Sequence, residues 1–243
     1  MVFLMAHKPF KPSTAAERSF MSALRKVGKV AGHIVEAHTH GDKLNEPLNM
    51  QEALKAYSKL IDPWARRQAA KMLEQVSKSN HRSYSIKSKT IGKLLRETTA
   101  GQTSAEIVNL MARQVELIKS IPIEAGIRAQ ELSTKAVYEG RRASEIAEEL
   151  AKSTQVSESK AMLIARTEVA RANASITQVR AQAIGAQGYI WRTTMDGAER
   201  DSHAKMNGKY VDYAKPPTLS DGTTGHAGTF PNCRCYQDVQ FLD

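Results

Sequence analysis

Cysteine is nearly missing from this chain: its 243 residues hold two, Cys233 and Cys235, one residue apart near the end. Two thiols cannot build a disulfide framework, and in a reducing compartment a close pair serves more often as a metal or redox site. Aromatic residues are also scarce, at 6%, while Ala, Glu, Lys and Arg abound. That balance argues against one thick aromatic core and for helices burying narrow aliphatic stripes. The opening apolar run, MVFLMA, has no basic residue ahead of it and is too short for a secretory signal or a membrane span, which predicts a cytosolic origin. Acidic residues are absent between Gln75 and Arg96, where Lys78, Arg82, Lys87, Lys89, Lys93 and Arg96 stand with His81 and Tyr84 among them. The net charge of +10 resides in the first 100 residues, which carry 18 Lys+Arg against 8 Asp+Glu, while the remainder balances 17 against 17. Such a field suits double-stranded DNA or an acidic protein surface, and a solvated connector fits the same run of charge.

Periodicity supplies most of the rest. Thr14 and Glu17 have capping-box spacing, and Phe20, Leu24, Val27, Ala31 and Ile34 then recur at helical steps, predicting a helix near 14–37. His33, His38 and His40 at its end lack carboxylate or thiol neighbours and read as a polar terminus. A second helix is expected from Asn49, and Asp62-Pro63 predicts an N-cap and first position of a third, through Trp64, Met72 and Val76. The Ser-, Lys- and Asn-rich segment from Ser77 to Lys89 reads as a linker. Thr103 and Glu106 then open a helix expected to stop before Pro122, followed by another up to Gly140. A short helix around Ser144 to Lys152 precedes the most regular one, from about Ser157, in which Met162, Ala165, Val169, Ala172, Ile176, Val179 and Ala183 form a narrow seam of largely small residues. After Gly188 the pattern changes to short candidate strands, YIWRTT, KYVDY and CRCYQDVQF, among Gly, Pro, Asp, Asn and Thr.

The expected fold class is therefore α+β, mainly α: elongated helical N-terminal and middle regions with a small loop-rich β-containing C-terminal module. Boundaries are expected near 100 and 187, giving a basic helical region 1–100, a helical region 101–187 and a β/loop module 188–243. A module of that size buries little core and needs a staple, either a metal or tight docking. Its candidate ligands are Asp196, Asp201, His203, His226, Cys233 and Cys235. Zinc favours thiolate and imidazole in a tetrahedral set, and a strand would place Cys233 and Cys235 on one side. Two buried thiols in a core strand remain the alternative. Arg166, Asn173 and Arg180, spaced by seven, form a polar ridge, either a solvated edge or a receiver for the acidic loop Asp196–Asp201.

The order ARTEVARANA, a glycine-ended helix, YIWRTTMDGAERDSHAKMNGKYV, then PP and PNCRC resembles the Mu F-like minor head proteins, the head morphogenesis family of tailed phages. NLMARQVELIKSIP and YEGRRASEIAEEL upstream are similar to it as well, so the likeness covers about residues 104–240, while the first 100 residues match only loosely. The family's R-T-E signature falls on Arg166, Thr167 and Glu168, with its later Asn on Asn173. Its strand and loop pattern falls on Trp191, Thr193, Asp196, His203 and Gly208, and its N-C-R-C on Asn232, Cys233, Arg234 and Cys235. Many members have two cysteines where this chain has Arg200 and His203, and a histidine where it has Phe230; His226 is the loop residue that could substitute. The candidate metal set is thus His203, His226, Cys233 and Cys235 with zinc, and the alternative is a cluster retained as a hydrogen-bonded core. Arg166, Glu168, Asn173, Trp191, Asp196, Gly208 and Asn232 are the candidate structural and docking residues.

The resemblance implies a few-copy protein of the phage head, made in the host bacterial cytoplasm and located in the virion. It implies association with the portal protein and other head proteins, and action in head assembly, DNA packaging or DNA ejection, without catalysis. The enzymatic alternative is a metal nuclease on Asp196, Asp201, His203 and Asn207, or a Cys–His hydrolase pairing Cys233 with His203 or His226.

Overall fold

The structure is a computed structural model that describes residues 10–39, 47–87, 95, 100–139 and 143–240. It is mainly helical. Helices α1 (Thr14–Thr39), α2 (Pro47–Leu60), α3 (Asp62–Lys87), α4 (Ala100–Tyr138) and α5 (Ala143–Ala183) precede strand β1 (Gly188–Arg192), the single-turn helix α6 (Asp201–Ala204), β2 (Tyr210–Asp212) and β3 (Tyr236–Val239). No described helix is long and apolar enough to cross a membrane. The chain divides into two compact units that do not follow boundaries at 100 and 187: residues 1–17, 71–110 and 166–243 form one, and residues 18–70 and 111–165 the other.

Several expected helix ends move for identifiable reasons. Ser13, not Thr14, caps α1, its Oγ accepting the Ala16 amide at 3.2 Å. Helix α4 begins at Ala100, ahead of Thr103, and passes through Pro122 instead of stopping before it. Proline disturbs the ladder in the turn ahead of it, and there the Ser58 hydroxyl donates to the Lys119 carbonyl at 3.0 Å. The segment read as a linker from Ser77 is helical to Lys87, because Val76, Asn80 and Tyr84 are buried at four-residue spacing. Packing there overrides the weak helix propensity of a Ser- and Asn-rich stretch. Helices expected at 144–152 and from 157 are one, α5; no Gly or Pro interrupts residues 152–157, and Ser157 is buried with its Oγ accepting from Arg128 Nη2 at 3.0 Å.

In the unit of residues 18–70 and 111–165 the interior is aliphatic and small-sided: Ala31, Val35, Met50, Leu54, Ala125, Ala129, Ala136 and Leu150 cluster. Gly28 fits against another backbone, since a Cβ there would lie 3.1 Å from the Ser157 carbonyl and the Glu158 nitrogen.

The other unit carries the sheet. Its order is β2-β1-β3 and both pairings are antiparallel, with Tyr189 opposite Val211 and Trp191 opposite Gln237. Alternation along β1 sends Tyr189 and Trp191 to one face, where both are buried. They join Phe10, Tyr84, Ala181, Tyr213, Phe230, Cys233, Cys235 and Tyr236 in one core. Only glycine fits at 188, because a Cβ would come within 2.3 Å of the Val211 carbonyl oxygen. Cys233 and Cys235 do not lie on a strand as expected; they form the irregular approach to β3.

Candidate functional site

Two motif segments far apart in the chain meet in this unit. Along α5, Arg166 Nη1 donates to Asn232 Oδ1 at 3.0 Å and its Nε pairs with Glu17 Oε1 at 3.2 Å. The next residue, Thr167, accepts the Asn232 amide on its hydroxyl at 2.9 Å. Glu168 is 2% exposed and bonds Arg171 Nη1 at 2.7 Å, which orients Arg171 to donate twice to the Thr229 carbonyl, at 3.2 and 2.7 Å. Every residue of R-T-E thus acts on the loop 229–232. The loop comes close to the small seam of α5: a Cβ on Gly228, whose φ is +86°, would lie 3.1 Å from Ala174 Cβ. Asn232 has φ 55°, a left-handed conformation that asparagine tolerates better than most residues.

That clamp delivers the two thiols to a histidine. Arg200, in extended conformation, precedes α6, and its carbonyl accepts the amides of His203 and Ala204 at 2.9 Å each, forming the turn that presents His203. His203 Nδ1 lies 3.5 Å from Cys233 Sγ and 3.5 Å from Cys235 Sγ, and all three residues are 3% exposed. Their ligand atoms lie within 4.8 Å of one another, the one His/Cys/Asp/Glu group of three or more with metal-holding geometry among the described residues. The cysteines are not disulfide-bonded. Trp191 packs edge-on to the His203 ring at 5.8 Å and Phe230 at 5.0 Å, so the imidazole is walled by aromatic surface. A hydrogen bond from the Cys235 thiol, aided by His203, holds the Cys233 thiol well below the ordinary range despite its burial. The same bond, with burial, pushes Cys235 up. Zinc–sulfur and zinc–nitrogen bonds of about 2.3 and 2.0 Å at tetrahedral angles separate nitrogen from sulfur by about 3.5 Å. The three side chains present that spacing, so they fit the ion.

The structure separates the remaining candidates. His226 does not join the group: its Nδ1 meets Tyr189 Oη at 3.1 Å, and its ring packs beside Tyr213. The ridge of Arg166, Asn173 and Arg180 does not receive the acidic loop. Asn173 Nδ2 donates to the Phe10 carbonyl at 2.7 Å and its Oδ1 accepts from Asn80. Arg180 donates to Asn80 Oδ1 at 2.8 Å and to Ser77. Asp196 instead pairs with Arg234, and Asp201 is exposed. Asn207 accepts the Thr193 amide at 3.1 Å and Gly208, at φ +84°, turns the chain toward β2. Asp196, Asp201, His203 and Asn207 thus form no common ligand set. Of the basic residues, Lys78 pairs with Glu74 on the surface, Arg82 is exposed, and Lys87 is drawn to Asp238, the Val239 carbonyl and the Phe10 ring. Lys89, Lys93 and Arg96 lie outside the described residues.

Sequence reasoning passed over Arg171 and Asn80. Arg171 carried a signal, three residues after Glu168 on one helix face; Asn80 carried none, because its partners Asn173 and Thr177 stand 93 and 97 residues away.

Residues 128–237 match the family described as Phage Mu protein F like protein, so the resemblance carried by the R-T-E and N-C-R-C segments holds over that span. A protein of Haemophilus influenzae strain Rd, named only as an uncharacterized protein, is 34% identical over 134 residues. That alignment covers 55% of this chain and 29% of the relative, so the chain spans less than a third of the relative's length. No solved structure matches the chain.

Proposed function

From a chain whose residues 128–237 are Mu F-like, we propose a head morphogenesis protein of a tailed phage that binds the portal protein and other head proteins and does no chemistry. The observation that carries the reading is the family match itself. Internal geometry supports it: the segments that carry the resemblance spend their polar groups on one another, with Arg166, Thr167 and Arg171 fastening residues 229–232. Residues so committed build a docking unit, whereas catalytic groups keep an open face toward substrate. The thiols and His203 are buried, with the rings of Trp191 and Phe230 packed beside the imidazole. In this reading the three side chains hold one zinc ion that ties the turn at α6 to the approach to β3. The basic first 100 residues contact DNA or an acidic portal surface during assembly, packaging or ejection, and the protein resides in the virion.

Co-expression with the portal and the other head proteins tests the reading. The chain is expected to co-sediment with a portal complex and to leave plasmid DNA intact with magnesium, manganese or zinc. Sedimentation apart from every head protein, or cleavage abolished by His203→Ala, would overturn it.

A further inference from the structure

Helix α1 has two unlike faces. Phe20, Leu24, Val27, Ala31 and Val35 are buried along one. The other carries Arg18, Ser22, Arg25, Lys26 and Lys29, all exposed. At about 100° per residue these five positions fall within about 100° of arc, so the four cations stand on one side over about 16 Å of helix axis. No acidic residue occurs between Arg18 and Val35 to balance them. The five side chains line a hollow of about 470 Å³, to which only Met21 and Glu158 add. Glu158, on α5, is its one carboxylate and reaches Arg25 Nε at 3.6 Å, a loose pair that leaves the Arg25 side chain 48% exposed. Arg18, Lys26 and Lys29 pair with no carboxylate among the described residues. The basic residues of α3 are more committed, since Lys78 pairs with Glu74 and Lys87 with Asp238.

We propose that this ridge of α1 docks the phosphate backbone of duplex DNA, with Arg18, Arg25, Lys26 and Lys29 neutralising phosphates and the Ser22 hydroxyl donating to one. The assignment rests on the head-protein reading above, which brings the chain together with DNA. The lining favours a polyanion over a protein. Protein interfaces centre on aromatic or aliphatic anchors, whereas Met21, half-buried, is the one apolar side chain in this wall. Duplex DNA presents a phosphate at about every 3.4 Å along each strand, so a straight row of cations finds partners in any register. The guanidiniums of Arg18 and Arg25 suit the paired oxygens of a phosphate. Such contacts hold the duplex without reading its sequence.

The test titrates the full chain against a fluorescent DNA duplex of mixed sequence over a series of salt concentrations. Arg18→Gln combined with Lys29→Gln should lower the slope of log affinity against log salt by about 2 and weaken binding about 10–100-fold at physiological salt. Arg113→Gln combined with Lys135→Gln, which removes the same charge from exposed positions of α4, should change neither. Glu158→Gln deletes the competing carboxylate and should tighten binding severalfold, a gain that a misfolded chain would not show. Equal losses in the two double variants, or no loss in the first, would overturn the assignment. So would a chain that binds no duplex yet co-sediments with the portal, and loses that co-sedimentation in the Arg18 and Lys29 variant. The ridge would then meet an acidic protein surface, and the head-protein reading would stand without the DNA contact.

Discussion

Gly28 and Trp191 represent two ways of filling an interior. In the unit of residues 18–70 and 111–165, helices approach until Gly28 meets the backbone at Ser157, and alanines at 31, 125, 129 and 136 make up half of the buried cluster. The unit that holds the sheet is filled by rings, sulfur and a buried polar network. There Trp191, Tyr189, Tyr84 and Phe10 are at most 1% exposed, and Asn80, Asn173, Thr177 and Arg180 are buried alongside. Small-residue packing needs only periodicity and a lack of bulk. Polar packing needs particular partners in particular places, because each unmatched group costs desolvation energy. The first interior rests mainly on close helix approach, and the second on particular polar partners.

The sharpest way to break this contrast is Trp191→Ala, which empties the sheet core and should cost about 3–5 kcal/mol in urea unfolding. A loss under about 1 kcal/mol would mean that the rings are not what holds the module. Next comes Asn80→Ala. Asn80 Nδ2 donates to Thr177 Oγ1 at 2.7 Å and its Oδ1 accepts from Arg180, so truncation strands buried groups and should cost about 1–3 kcal/mol. The double variant Asn80→Ala with Arg180→Ala should fall short of the summed losses, and additivity would show that the network is not one unit.

Smaller again is Gly28→Ala. Alanine gains up to about 1 kcal/mol in helix propensity, but its Cβ would press on the backbone of Ser157 and Glu158, so a net loss of about 1 kcal/mol is expected from calorimetry. A gain would mean that the helices are not in close contact at this point.

The smallest effect is a pH dependence at His226. Burial holds its pKa below the usual value, against the Tyr213 carbonyl and Asp212, which favour the charged ring. The unfolded chain therefore takes up the proton first as pH falls. The contribution is complete above about pH 6.5 and is lost as pH drops through and below that value. His226→Gln should flatten the stability profile there, and an unchanged slope would assign it to other groups.

The helices were legible because apolar residues recur at 3.6-residue spacing. What the period could not reveal was continuity. Pro122 and the weak formers of Ser77–Lys87 read as ends, yet helix continues through both, with the Ser58 hydroxyl on the Lys119 carbonyl and with Asn80 and Tyr84 buried. At the site, C-x-C and His203 were visible by ligand chemistry. His226 fitted the same chemistry, and only tertiary structure placed it beside Tyr189. The ridge at Arg166, Asn173 and Arg180 was visible as a face, but its partners, Asn232, Phe10 and Asn80, come from segments that no local pattern connects to α5.

Quantitative mass spectrometry of heads purified from lysates of the phage that encodes the chain tests the central claim most directly. The account predicts the chain in empty and DNA-filled heads at a few copies beside the portal, and its loss from them when Cys233 and Cys235 are both changed to Ser. Heads that contain none of it, with the intact chain left in the soluble fraction, would contradict the account.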